Sequence, residues 1–379
     1  MSDAQPPVLT PEVVSRLSEV AAAAGVLRLS GTTLDASIIA RAQQTLGDFL
    51  DAGHHGEMEF LRRTEAMRGD PGLLLPGAAS ALVGVVPYGG RSGPIARYAQ
   101  WADYHTIVHR RLERIVESLE SLVPGVRTKI CVDTKPIPER TLAMMAGVGF
   151  QGKHGCLIVP GLGSYVVIGT ILTDAVWTEA GASPEHHGAP SLASSGAPWD
   201  ACGSCRACLD ACPTQAFEGP ARLDARKCIS YLTIEHRGPI DEALATQMGV
   251  RIAGCDVCQE VCPHNMSPSL ATRSREVQRL PPVEGVRDRD LSLATLANVG
   301  NNQHKGFVRG SALNRIPRRS MRRNALIALG NRAKGLTPEE ASSVRETAAG
   351  EDPELRAWAG WVLARHADGG VDGDDLPPT

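Results

Sequence analysis

The chain has 379 residues, of which 42% are hydrophobic and 21% charged, with a formal net charge of −3. That length allows two or three domains with a substantial core and excludes a small scaffold held by staples. No basic region followed by an apolar stretch opens the chain, and no eighteen apolar residues run uninterrupted, so neither a signal peptide nor a membrane span is expected, and a monomeric cytoplasmic protein with reduced thiols is.

Thr10 as N-cap, Pro11 at the first helical position and Gly25 past the end predict a helix over 11–24. Residues 81–88 and 165–173 are short β-branched runs bounded by Gly and Pro, which predict buried strands. Between them, 105–122 places Ile107, Leu112, Ile115, Val116 and Leu119 on one side of a helix. An α/β catalytic domain over 1–176 is the result.

Within that domain, Gly147-Val-Gly149-Phe-Gln-Gly152-Lys153-His154 fits both GxGxxG and GxxxxGK. Both fits are set aside: His154 stands where a phosphate loop needs Ser or Thr, and residues 138–146 before the glycines read as helix rather than strand. The glycines are expected to close that helix and let backbone approach a ligand. Asp133, before Thr134-Lys-Pro136, reads as turn chemistry, and Glu139 by itself as a helix N-terminal acid offsetting the dipole.

Residues 177–198 are rich in Ala, Gly, Ser and Pro without apolar period, a linker or excursion whose His186 and His187 are expected in solvent. A cysteine module over 199–282 follows. Cys202, Cys205, Cys208 and Cys212-Pro213 form a CxxCxxCxxxCP run, Cys255, Cys258 and Cys262-Pro263 a shorter one, and Cys228 lies between them. Eight cysteines of ten are the number that two four-thiolate iron–sulfur clusters require, and the CP run sends its fourth thiolate to the other cluster. The crossed assignment gives one [4Fe-4S] cluster Cys202, Cys205, Cys208 and Cys262, and the other Cys212, Cys228, Cys255 and Cys258. A disulfide framework does not suit cysteines gathered in a sixth of a long chain. A pair of structural zinc sites stays open, since zinc also accepts four thiolates at CxxC spacing.

Between Leu291 and Pro338 lie nine of the 39 Lys and Arg residues and none of the 42 Asp and Glu. The densest part, Arg315 to Arg323, is expected to face the backbone phosphates of a folded RNA, with a solvated helix face as the plain alternative. Aromatic residues make up only 4%, which disfavours base-stacking platforms. Helices are predicted over 321–330, 338–349 and 353–366, and 283–367 reads as a basic, HEAT-like helical region. The Gly- and Asp-rich residues 368–379 read as a disordered tail.

Taken together, Val132 to Arg140, Gly147 to Lys153, Gly163-Ser-Tyr165 with Thr173-Asp174, the two cysteine runs and the helical tail resemble the epoxyqueuosine reductase family. That family is similar to the reductive dehalogenases in joining a cobalamin domain to a ferredoxin-like module with two [4Fe-4S] clusters. The resemblance implies reduction of epoxyqueuosine to queuosine at the wobble position of transfer RNAs with GUN anticodons. Electrons would come singly from an external donor such as flavodoxin or ferredoxin. It also implies that Glu139 replaces an acidic proton donor that is often Asp, and that Arg62, Asp103, Glu139, Gly163, Tyr165 and Asp174 meet cobalamin. The cobalamin-ligand motif DxHxxG is absent, because Asp103-Tyr-His105 lacks its glycine. Lys153 and His105 are expected at RNA phosphate or the corrin. A small-molecule reductase resembling the dehalogenases and a plain electron-transfer fusion are the competing readings; neither accounts for the acid-free basic segment together with the large α/β domain.

Overall fold

The computed structural model describes residues 6–178, 197–266 and 292–367. The greater part of the expected linker with His186 and His187, residues 267–291 and the tail from Asp368 lie outside the described residues.

A four-stranded antiparallel sheet organises the first half: β1 (Leu27–Thr33), β2 (Ser80–Pro87), β3 (Thr128–Cys131) and β4 (Val166–Thr173), in the order β1-β2-β4-β3. The central strands pair along their full length, from Ser80 opposite Thr173 to Pro87 opposite Val166. Helices α1 (Pro11–Ala24) and α3 (Tyr104–Leu122) cover one face; α2 (Ala36–Asp51) and α4 (Glu139–Met145) lie on the rest of this half. Leu82, Val86 and Ile171 pack with Leu17, Leu112, Ile115 and Leu119 on one side of the sheet. Ala81, Val83, Val85 and Leu172 pack with Ile137 and Leu142 on the other. Covering both faces is why β2 reads as a continuous apolar run instead of alternating. Gly169 brings α3 close, since a Cβ there would stand 2.9 Å from Leu112 Cδ1. The helix α1 has the expected ends: Thr10 Oγ1 accepts from Val13 N–H, and Gly25 takes a φ of +73°.

The second half builds a separate core. Short helices α5 (Ala207–Asp210), α6 (Ile229–Ile234), α7 (Glu242–Gln247) and α8 (Val257–Glu260) carry the cysteine segments. They are followed by α9 (Leu293–Ala297), α10 (Asn301–Val308), α11 (Arg318–Gly330), α12 (Pro338–Ala348) and α13 (Pro353–Ala367). Ile229, Leu232, Met248 and Ile252 share one core with Met321, Leu326, Leu329, Leu355 and Trp358. The cysteine segment and the helical tail are therefore packed as one body.

This packing corrects the phosphate-facing expectation for Arg323, whereas Arg315 and Arg319 stay exposed and are ion-paired. Arg323 is 1% exposed and donates to the carbonyls of Leu232, His236 and Gly238. Arg315 pairs with Glu235, Arg319 with Asp352 and Glu354, and Arg322 donates to Ala297 O at 2.7 Å. An arginine fork suits carbonyls and carboxylates as well as phosphate, so charge density alone did not distinguish them.

Candidate functional site

Glu139 stands first in α4, where the helix dipole favours a carboxylate. Its side chain turns back to accept from Asp133 N–H at 2.7 Å. Asp133 reaches this geometry with a φ of +50°, which a residue other than glycine holds only when its surroundings enforce it. The start of α3 enforces it. Tyr104 donates its hydroxyl proton to Asp133 Oδ2 at 2.5 Å, and His105 Nε2 lies 3.2 Å from the same oxygen. His105 Nδ1 lies 2.7 Å from Asp103 Oδ1, and Asp103 also caps α3 by accepting from His105 N–H.

The two neighbouring carboxyls are driven in opposite directions. Burial pushes Glu139 up to about 8, the Asp133 charge pushes the same way, and the Asp133 N–H, Arg68 and Arg140 offset this only partly. Glu139 therefore holds its proton at neutral pH. The hydrogen bond from His105, supported by that from Tyr104, keeps Asp133 below the usual carboxylate range against an opposing loss of solvation. Burial opposes charge on His105, but its bonds to Asp103 and Asp133 prevail and lift it to about 9. A neutral acid beside an anion is the arrangement that separates proton donor from electrostatic partner. The carboxyl pair stays open to solvent, since Glu139 is half-buried and the Asp133 side chain is 57% exposed.

None of the ten cysteines is joined in a disulfide. Burial pushes Cys208 up to about 11, and Cys202, Cys262 and Cys205 push it further. Cys202 and Cys205 act likewise on Cys262. Cys212 acts on Cys228, Cys228 on Cys255, and Cys156, Cys255, Cys228 and Cys208 all act on Cys258. Such mutual repulsion is felt only at short range, so the fold draws the cysteines of both runs, together with Cys228, into one neighbourhood. Eight thiols and no other donor type suit iron–sulfur clusters.

The sheet domain touches this module through several of the residues singled out above. Gly163 takes a φ of +76°, and a Cβ there would lie 2.1 Å from Asn265 Oδ1, three residues past Cys262. Ser164 N–H donates to the same Asn265 oxygen at 2.7 Å. Tyr165 lies under the Arg97 guanidinium, 4.6 Å from ring centre to Cζ, and Arg97 reaches Glu260 at 3.3 Å. The Tyr165 hydroxyl and Arg97 Nε are both enclosed without a hydrogen-bond partner among the described residues. Lys153 is not at the surface: it donates to Gly203 O at 2.6 Å and Cys205 O at 2.9 Å.

Two expected residues stand apart. Arg62 donates to Leu50 O at 3.0 Å and approaches Asp51. Asp174 binds Arg127 through both oxygens at the opposite end of β4 from Tyr165, about 30 Å away along an extended strand. Sequence reasoning missed Tyr104, Arg68 and Arg97. It also missed Arg315 as a site residue, whose charge helps hold Asp133 ionised. Tyr104 was discoverable, as a polar aromatic at the start of an amphipathic helix, off its apolar side.

Comparison with known proteins agrees with this geometry. Residues 201–265 match a family model described as a 4Fe-4S double cluster binding domain, and residues 68–134 match one described as epoxyqueuosine reductase QueG. The epoxyqueuosine reductase of Xanthomonas campestris is 34% identical over 94% of this chain and 96% of its own length. That of Escherichia coli K12 is 32% identical over 86% of this chain and 83% of its own. The chain belongs to the epoxyqueuosine reductase family. Among solved structures, the epoxyqueuosine reductase of Streptococcus thermophilus superimposes with a TM-score of 0.77 at 25% identity, covering 96% of this chain and 92% of that one. An epoxyqueuosine reductase bound to an epoxyqueuosine-modified tRNA-Tyr stem loop gives 0.72 at 26% identity, covering 96% of both chains. The Bacillus subtilis enzyme, solved with an aspartate-bearing catalytic loop swung out of its active site, gives 0.71 at 27% identity, covering 93% of this chain and 90% of that one.

Proposed function

We propose that this chain reduces epoxyqueuosine to queuosine at the wobble position of transfer RNAs with GUN anticodons. Converting an epoxide to an alkene consumes two electrons and two protons and releases the oxygen as water. The observation that carries the reading is Glu139, a carboxylic acid still protonated at neutral pH in a chain of this family with a double-cluster module. Glu139 supplies a proton to the departing oxygen, a general-acid role worth a factor of about 10²–10⁴. The Asp133 N–H holds the carboxyl in place, and solvent access to the carboxyl pair returns the proton.

The two cysteine foursomes would each hold a [4Fe-4S] cluster and pass on electrons one at a time from an external donor such as flavodoxin or ferredoxin. Cobalamin, when bound, supplies the metal centre at which two single electrons are joined for attack on the epoxide. Its fit rests on the unpartnered Tyr165 hydroxyl and Arg97 Nε, two enclosed donors on residues that stack on each other where the sheet domain meets Glu260 of the cysteine module. Tyr165 would hold it, with Glu139 nearby; Arg62, Asp103, Gly163 and Asp174 have other neighbours in this arrangement. The solved relative with a modified stem loop supports a transfer RNA partner.

The test is anaerobic reconstitution with iron, sulfide and cobalamin, followed by assay of epoxyqueuosine-containing transfer RNA. Queuosine is the expected product. Its failure to appear despite full cluster and corrin loading overturns the reading.

A further inference from the structure

His154 is buried, 6% exposed, and only one of its ring nitrogens has a partner. Its Nδ1 accepts from Cys156 N–H at 3.1 Å, which assigns the ring proton to Nε2. Nε2 is enclosed and has no hydrogen-bond partner among the described residues. A buried N–H without an acceptor costs about 1–3 kcal/mol, so an orphan of this kind points to an absent acceptor.

The surroundings indicate which acceptor. The preceding residue, Lys153, donates to the carbonyls of Gly203 and Cys205, which presses this loop against the first cysteine run. A Cβ on Gly152 would lie 3.1 Å from His154 Nε2 and 2.6 Å from Ile158 Cδ1, so the Nε2 edge borders Ile158. Ile158 in turn packs with Phe150, Cys262 and Cys202. The unpartnered N–H thus belongs to a loop packed, through Lys153 and Ile158, on the Cys202, Cys205 and Cys262 side of the module, where a bound group would bring sulfur acceptors. We propose that His154 Nε2–H donates a hydrogen bond to a sulfur of the cluster held by Cys202, Cys205, Cys208 and Cys262, and so raises the reduction potential of that cluster relative to the other. A donor at a cluster sulfur stabilises the added negative charge of the reduced form, which is one of the means by which proteins set cluster potentials. The proposal rests on the double-cluster reading, and the experiment separates the two.

Reconstituted full-length protein is titrated potentiometrically and followed by electron paramagnetic resonance, as wild type, His154→Leu and His154→Gln. Iron content is measured for each. The expected result is a fall in the midpoint potential of one cluster in His154→Leu, equivalent to about tenfold in the reduced-to-oxidised ratio, ~59 mV for a one-electron couple. Partial recovery is expected in His154→Gln, which keeps a donor. A companion Cys205→Ser variant marks the signal of the first cluster by changing its shape. Unmoved potentials, or a shift confined to the other cluster, overturn the inference while leaving the double-cluster reading intact; wild type that fails to bind eight irons overturns that reading itself. If His154→Leu does not load iron, pulsed resonance on ¹⁵N-histidine-labelled protein in a His264→Gln background decides: absence of a histidine nitrogen coupling to the reduced first cluster overturns the inference.

Discussion

Two carboxyls joined through one backbone hydrogen bond divide the work, Glu139 keeping its proton and Asp133 losing it. In Glu139→Gln the amide keeps the shape and can still accept from Asp133 N–H but cannot release a proton. Turnover is expected to fall by about 10²–10⁴ while iron content and RNA affinity stay as in wild type, measured by single-turnover assay and filter binding. Undiminished turnover would transfer the donor role to another group. The pH profile follows with a defined sign. The reactive form of Glu139 is the protonated one, so the chemical step should be fastest below its pKa and decline as pH rises through about 8. A profile flat from pH 6 to 9 would remove Glu139 from the rate-determining proton transfer. This acid was visible in the sequence only through a family resemblance. Its own position describes a helix-capping charge, and the feature that changes it is the left-handed turn at Asp133, imposed by Tyr104 and His105 some thirty positions earlier. No local pattern encodes that contact.

At the scale of elements, legibility tracks how local the determining interaction is. The end signals of α1, the apolar stripe of α3 and the β-branched runs of β2 and β4 are local, and the observed elements lie within a residue or so of the expected spans. The helix α11 is different, because what decides its polar residues is the neighbouring chain. Arg323 and Asn324 point into the body and satisfy carbonyls of Leu232, Thr233, His236, Gly238 and Ile252. Arg323→Ala should leave three of those carbonyls unpaired, at about 1 kcal/mol or more each, and lower stability by at least about 3 kcal/mol in urea unfolding. An effect below about 1 kcal/mol would show that water replaces the guanidinium. Gly163 is the comparable hinge of the sheet domain. Its positive φ and the closeness of Asn265 leave no room for a side chain, so Gly163→Ala is expected to loosen the segment after Cys262 and reduce iron retention on dilution into chelator. Wild-type retention would mean the loop yields without disturbing the thiols.

For the molecule as a whole, the charge asymmetry that suggested an RNA surface is real, but most of it is consumed internally. Arg315, Arg318, Arg319, Arg322, Arg323 and Arg332 all have carboxylate or carbonyl partners. Lys305, Arg309 and Lys334 are exposed. Arg309 is placed to matter most, because the adjacent Gly310 O accepts from Asp103 N–H at 2.7 Å, and Asp103 is linked through His105 to Asp133, the partner of Glu139. An RNA delivering one base to Glu139 would bring its flanking phosphates to Arg309. Counterion release then gives a quantitative expectation: Arg309→Ala should lower the log–log salt dependence of transfer RNA binding by about 1, and Lys305→Ala with it by about 2 in total. Arg319→Ala should leave the slope unchanged, since its guanidinium is already committed to Asp352 and Glu354. A slope that responds to Arg319 and ignores Arg309 would overturn this placement and put the RNA against the Arg319, Asp352 and Glu354 cluster instead of beside Asp103.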